Sequence, residues 1–286
     1  MKQIINLLAV VFISAFSYSC SDSKAENTVQ APSPKKYIIL VDLSDRLLQP
    51  NQASKDIAVF NSVFDAFMRA VEDNLLIKSN DKFITRILYQ RNSTLDFESY
   101  SDSLSLDLSN YRLGAKKEQI IRFRNAYKGI LERLYDKARL GQNSKSFDGV
   151  DIWKYFNEQM KNDIDNSCSN TVIILTDGYF DFNDMSHMHQ QGGYYTTTAF
   201  LSKLNNQRWR TEAEHTGLIP VKLPKNVKWM VCGINSKHPN DQLMNEKLSF
   251  FWKKWLEQST GERVSDPIIS STPQTMGNLI KNMINY

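Results

Sequence analysis

The sequence predicts an α/β fold: a doubly wound, mainly parallel sheet with helices on both faces. Three observations lead there. Tyr37 to Val41 and Thr171 to Leu175 are continuous apolar runs of strand length, the pattern of strands buried on both faces. Long stretches with apolar residues at helical spacing separate the strand-like runs. Strands that alternate with helices close into a parallel sheet covered on both sides.

Taken in order, Tyr37–Val41 is the first strand, followed by a break at Pro50 and Asn51. A helix over Lys55–Ile77 carries Ile57, Phe60, Val63, Phe64, Phe67, Val71 and Leu75, with Ser54 as its N-cap and Asp56 in its first turn. Lys82–Tyr89 reads as a strand, and the alternation in Ser93–Leu108 points to a third, edge-like strand. A long helix over Lys116–Leu140 presents Ile120, Phe123, Tyr127, Ile130, Leu134 and Ala138 on one face. Its Lys and Arg residues fit a solvated outer face better than a binding stripe. Asp151–Met160 continues as a shorter helix, then the strand Thr171–Leu175 ends in Thr176-Asp177-Gly178. A long insertion at about 179–220 contains a helix near Ala199–Asn205. Strand Val227–Cys232, helix Lys247–Gln258, strand Pro267–Ser270 and helix Thr275–Ile284 complete the domain. Trp252 and Trp255 read as packing residues.

The N-terminus has a different pattern. Lys2 gives a short positive region, Ile4 to Phe16 is apolar except for Asn6 and Ser14, and Ser17-Tyr18-Ser19 leads into Cys20. Charge, short apolar core and small residue at the cut read as a signal peptide over residues 1–19. The apolar run is shorter than the ~20 residues of a membrane-spanning helix. The approach to Cys20 resembles a lipobox, although Ser17 stands where that motif usually has Leu and Tyr18 where it has a smaller residue. The resemblance implies acylation (palmitate) of Cys20 and a lipoprotein of the bacterial cell envelope, expected at the outer membrane; plain secretion is the alternative. Residues 20–35 then form the lipidated Cys and a flexible tether, too poor in large apolar residues to offset its ordering entropy. Residues 36–286 form the folded domain.

Composition narrows the function. At 41% hydrophobic and 23% charged, the chain is ordinarily globular. A net charge of +4, dispersed along it, argues against nucleic acid as a partner. Besides Cys20, only Cys168 and Cys232 remain, at opposite ends of predicted parallel strands, so two free, buried thiols are expected.

Ligands of doubly wound sheets gather at the carboxyl ends of the strands. Asp42 follows the first apolar strand and Asp177 the later one, within Asp42-Leu43-Ser44 and Thr176-Asp177-Gly178. These motifs, in this order and context, resemble the metal-ion-dependent adhesion motif of the von Willebrand factor A family: Asp-x-Ser-x-Ser after the first strand, a Thr on a later loop, and Asp-Gly after the fourth strand. The resemblance runs from about Tyr37 to the C-terminus and makes the fold von Willebrand factor A-like, within the broader Rossmann-like class. It implies that Asp42, Ser44 and Asp177 hold Mg²⁺ or Mn²⁺, directly or through water, and that a partner carboxylate fills a vacant position. Asp45 and Asp151 are candidate supporting carboxylates.

Two positions depart from the motif. Arg46 replaces the second Ser, and Val150 stands where the Thr is expected. The Arg46 guanidinium offers an alternative: neutralising Asp42 or Asp177 in place of a metal.

Partner contact is expected from Arg46, Tyr179, Asp181, Tyr194 and Tyr195 at the same sheet edge. Asp181, Asp184, His187 and His189 also admit a transition-metal reading, against that of solvated loop residues. His215 and His238 read as surface residues. An enzyme is the rival class, since aspartyl phosphotransferases also place an Asp after the first strand. They need a second Asp two positions on, where this chain has Ser44, and no phosphate loop, Gly-x-Ser-x-Gly elbow or His-Glu-x-x-His helix occurs in the sequence. The expectation is a non-enzymatic module that binds a protein of the envelope, or a metal-independent scaffold there.

Overall fold

The computed structural model describes residues 33–90, 93–140, 149–182, 188–205, 208–238 and 240–285. The predicted signal peptide, Cys20 and tether residues up to 32 lie outside these, as do Asp184 and His187.

The chain enters β1 (Lys35–Val41), buried throughout after Lys35. A 3₁₀ turn at Asp45–Leu48 leads to α1 (Gln52–Asp73). This helix begins before the expected Ser54 cap, because Asn51 adopts the left-handed conformation (φ 58°) and turns the chain there. Val59, Phe60, Val63, Phe64, Phe67 and Val71 form its buried stripe. β2 (Lys82–Ile87) alternates half-buried and buried residues. The predicted edge strand is confined to β3 (Leu106–Asp107); the segment before it is α2 (Phe97–Ser103). There Phe97, Tyr100, Ser101 and Leu104 recur at helical spacing. Asp96 Oδ1 accepts from Ser99 N at 3.0 Å and caps the helix, which settles the competition between the two periods.

α3 (Lys116–Arg139) buries Ile120, Phe123, Tyr127, Leu131, Leu134, Tyr135 and Ala138, while Lys117, Arg122, Arg124, Lys128 and Arg133 form its solvated face. α4 (Ile152–Lys154) and α5 (Met160–Asp163) are joined by a π-helical turn at Tyr155–Gln159. After β4 (Ser169–Leu175), the insertion builds β5 (Gln190–Gln191), β6 (Tyr194–Tyr195), a 3₁₀ turn at Thr198–Lys203, α6 (Trp209–Glu212) and β7 (Gly217–Leu218). Its short strands pair in the order β5-β6-β7. β8 (Val227–Ile234), α7 (Gln242–Thr260), β9 (Ile268–Ile269) and α8 (Pro273–Asn285) follow.

The main sheet has the order β3-β2-β1-β4-β8-β9, parallel except for β3. This is the predicted α/β architecture. Successive strand residues point to opposite faces and so divide the core in two. Tyr37, Ile39, Val41, Ile173, Leu175 and Met230 pack with residues of α1, α3 and α8. Ile38, Leu40, Val172, Ile174, Trp229 and Val231 pack with α4, the insertion and α7, including Trp252 and Trp255. Each such large apolar side chain contributes about 1.5–3 kcal/mol by burial. Strand succession reverses between β1 and β4, which opens a crevice at their carboxyl ends.

Cys168 and Cys232 are both free, as expected, but only Cys232 is buried. Cys168 is half-buried because it closes a turn before β4, its N–H donating to Asp165 O at 2.9 Å. Among the described residues no helix is long and apolar enough to cross a membrane.

Candidate functional site

The sheet itself brings Asp42 and Asp177 together. Val41 pairs with Leu175, and the ladder runs on as Asp42 N donates to Leu175 O and Thr176 N to Cys232 O, each at 3.1 Å. Asp42 then turns back on its own loop, its Oδ1 accepting from Ser44 N at 2.8 Å. Its Oδ2 accepts from Thr176 Oγ1 at 2.9 Å, and the same hydroxyl accepts from Gly178 N at 3.0 Å. Gly178 has φ +100°, a conformation that residues with a Cβ rarely adopt, so the backbone calls for glycine after Asp177.

Asp177 is 2% exposed. Its Oδ1 accepts from Tyr179 N at 3.2 Å, whereas its Oδ2 is buried without a hydrogen-bond partner. Burial raises the pKa of both aspartates. The Arg46 charge opposes the rise at Asp42, while the Asp42 charge adds to it at Asp177, which lies well above the carboxylate range. An orphaned carboxylate oxygen beside a second buried carboxylate is costly unless something cationic or protic meets it.

Arg46 does not meet it. The guanidinium is 1% exposed and turned inward, donating through Nη1 and Nη2 to Asp56 Oδ2 and Oδ1, both at 2.9 Å. Nη1 also reaches the Asp42 carbonyl oxygen at 2.9 Å. Gln52 and Tyr135 complete the shell around Asp56, each donating at 2.9 Å. In place of the alternative in which Arg46 pairs with Asp42 or Asp177, its side chain forms a buried pair with Asp56, and burial also removes Arg46 from the partner-binding surface.

The two supporting carboxylates have other work as well. Asp151 caps α4, accepting from Lys154 N at 2.9 Å, and lines a cleft of about 610 Å³ with Tyr89, Phe97 and Tyr155. Val150 is buried in the second core. Asp45 turns to Lys237, whose Nζ lies 3.0 Å from its Oδ2. The same ammonium is 2.6 Å from Asp181 Oδ2 and sits 4.9 Å from the centre of the Tyr179 ring. Burial lowers the pKa of Lys237, but Asp181 and Asp45 outweigh it and hold the ammonium above its ordinary range.

The remaining tyrosines are partly used within the domain. Tyr195 stacks on Phe200 at 5.2 Å, and Tyr194 receives Lys254 at 5.4 Å from its ring centre, leaving both half-buried. His189, His215 and His238 are exposed. Among the described residues no three His, Cys, Asp or Glu side chains are grouped to hold a metal. A cation here would rest on a mixed set: the carboxylates of Asp42 and Asp177 and the hydroxyls of Ser44 and Thr176. All are oxygen donors, the chemistry that Mg²⁺ and Mn²⁺ prefer, and the unpartnered Asp177 Oδ2 fits that set.

No family model and no curated protein matches the chain. Among solved structures, it is similar to the proximal thread matrix protein 1 of the mussel byssus, at 12% identity and a TM-score of 0.36, over 89% of this chain and 47% of that one. It is also similar to the open conformation of the pilus adhesin SpaC from Lactobacillus rhamnosus GG, at 13% identity and a TM-score of 0.42, over 90% of this chain and 30% of that one. The chain thus spans less than half the length of either neighbour.

Proposed function

We propose that this domain is a binding module of von Willebrand factor A type, tethered to the bacterial envelope through Cys20, that takes a protein partner at the carboxyl-end edge of its sheet. Asp42, Ser44 and Asp177 would hold Mg²⁺ or Mn²⁺, and the cation would offer an open position to an acidic side chain of the partner. The observation that carries this reading is the buried, unpartnered Oδ2 of Asp177 beside Asp42. The placement of both motifs after the first and fourth strands, where strand succession reverses, supports it. So does the inward turn of Arg46, whose guanidinium donates to Asp56 and to the Asp42 carbonyl and to neither carboxylate of the site.

The test is calorimetric titration of Mg²⁺ and Mn²⁺ into the protein beside Asp177→Ala. Saturable heat lost in the variant is expected, together with a rise in melting temperature. Ligand at 100 times its Kd stabilises the folded state by about 2.7 kcal/mol. No heat and no thermal shift would sink the cation reading and leave the metal-independent scaffold, in which chelator makes no difference to partner capture.

A further inference from the structure

We propose that Lys237 is the resident counter-cation of this site, and that a divalent cation at Asp42 and Asp177 displaces it and frees the side chains of Tyr179 and Asp181 for the partner. The proposal rests on the cation reading above and adds its regulation.

One ammonium ties together the loops that follow three neighbouring strands. Asp45 belongs to the loop after β1, Tyr179 and Asp181 to the loop after β4, and Lys237 to the loop after β8. Its Nζ meets Asp181 at 2.6 Å and Asp45 at 3.0 Å above the Tyr179 ring, and its backbone N–H points to Tyr179 Oη at 3.5 Å. Tyr179 and Asp181, two of the residues expected to touch a partner, are thereby occupied from within. Asp45 directly follows Ser44, and Asp181 lies four residues after Asp177, so the ammonium and a cation at Asp42 and Asp177 would share the loops after β1 and β4. Two positive charges at Asp177 would repel the ammonium.

The contact is built to be given up. The side chains of Lys237, Asp181 and Asp45 are 35%, 34% and 25% exposed, so each pair is open to solvent and screened by salt. The release is confined to alternate side chains. Phe180 and Phe182 between and beyond them are buried, and the Phe180 ring lies 4.7 Å from that of Trp252. What opens is an outward-facing row on a fixed backbone.

The experiment is amine acetylation of the full chain, read at Lys237 by mass spectrometry, with exposed Lys117 as the internal reference. Saturating Mg²⁺ or Mn²⁺ should raise Lys237 labelling, and Asp181→Asn should raise it without metal, each roughly 2–5-fold, the upper part of the range expected when one exposed ion pair is lost. Lys237→Met, with the competitor gone, should bind the metal more tightly by a similar factor. Unchanged labelling in Asp181→Asn overturns the counter-cation role. Unchanged labelling with metal that calorimetry shows to be bound overturns the displacement. Absence of metal binding in both the unmodified protein and Lys237→Met overturns the cation reading itself, and displacement with it.

Discussion

Arg46 and Asp56 meet as fork and carboxylate, with both nitrogen–oxygen distances 2.9 Å and neither side chain more than 4% exposed. Removing one partner of such a buried pair strands a charge, whereas replacing both with apolar groups of similar volume does not. Asp56→Ala should therefore lower stability by about 3–5 kcal/mol in urea unfolding, and Arg46→Met with Asp56→Leu should recover most of it. A single variant no less stable than the double would show that the pair carries little.

Asp177→Asn should raise the melting temperature of the metal-free protein, because it removes a carboxyl whose ionisation both burial and the Asp42 charge oppose. The same variant should lose any thermal shift with Mg²⁺ or Mn²⁺. A lower metal-free melting temperature would mean that the carboxylate is already satisfied without metal.

Gly149 packs directly on the chain of the insertion: a Cβ there would fall 1.0 Å from Asp181 O, in a backbone that cannot yield as a side chain would. Gly149→Ala should cost about 1–3 kcal/mol by overpacking, and should separate Asp181 from Lys237. Thermal melting reports the first effect and Lys237 acetylation the second. A wild-type labelling rate would place the accommodation elsewhere.

Alkaline stability follows the tyrosines. Burial raises Tyr135 and Tyr155 well above their ordinary range, Asp56 and Asp163 adding to the shift, and raises Tyr37 to about 12. A phenol whose pKa is higher in the folded state gives stability that is complete below the unfolded value of about 10 and is lost as pH rises through the folded one. Tyrosinate absorbance should therefore lag behind that of the unfolded chain above pH ~10 and then rise together with unfolding. Smooth titration of all tyrosines near 10 without unfolding would contradict the packing of Tyr135 against Asp56.

The sheet and its two motif loops were legible because their signals are local and strong. Apolar strands such as Tyr37–Val41 admit few other readings, and an aspartate at the end of each marks the crevice. Ser93–Leu108 was ambiguous because its apolar residues satisfy both periods over a short span. Sequence proximity favours Asp42 as the partner of Arg46, and the guanidinium does reach the Asp42 carbonyl, but its paired carboxylate is Asp56. Asp56 sat in plain view on the apolar stripe of α1, four residues before Phe60, yet its guanidinium partner comes from across a turn and its phenol from α3. Thr176 precedes Asp177 with nothing in the sequence to show that its hydroxyl crosses to Asp42. Lys237 gave no signal at all, because only the strand order sets the loop after β8 beside those after β1 and β4.

The two described thiols have a consequence for how the domain can be followed in practice. Cys232 lies in register with Leu175 near the carboxyl end of the sheet, while Cys168 precedes β4 at the other. Along a strand that separation is about 20 Å, far beyond the ~7 Å limit for a disulfide. Burial raises the thiol pKa of both and pushes Cys232 far above its ordinary range, so that its sulfur is inert in the intact core. Both described thiols thus stay free in the folded domain. It also carries two clocks: a half-covered sulfur that reagents reach while the sheet is whole, and a sealed one that reacts only when the sheet comes apart.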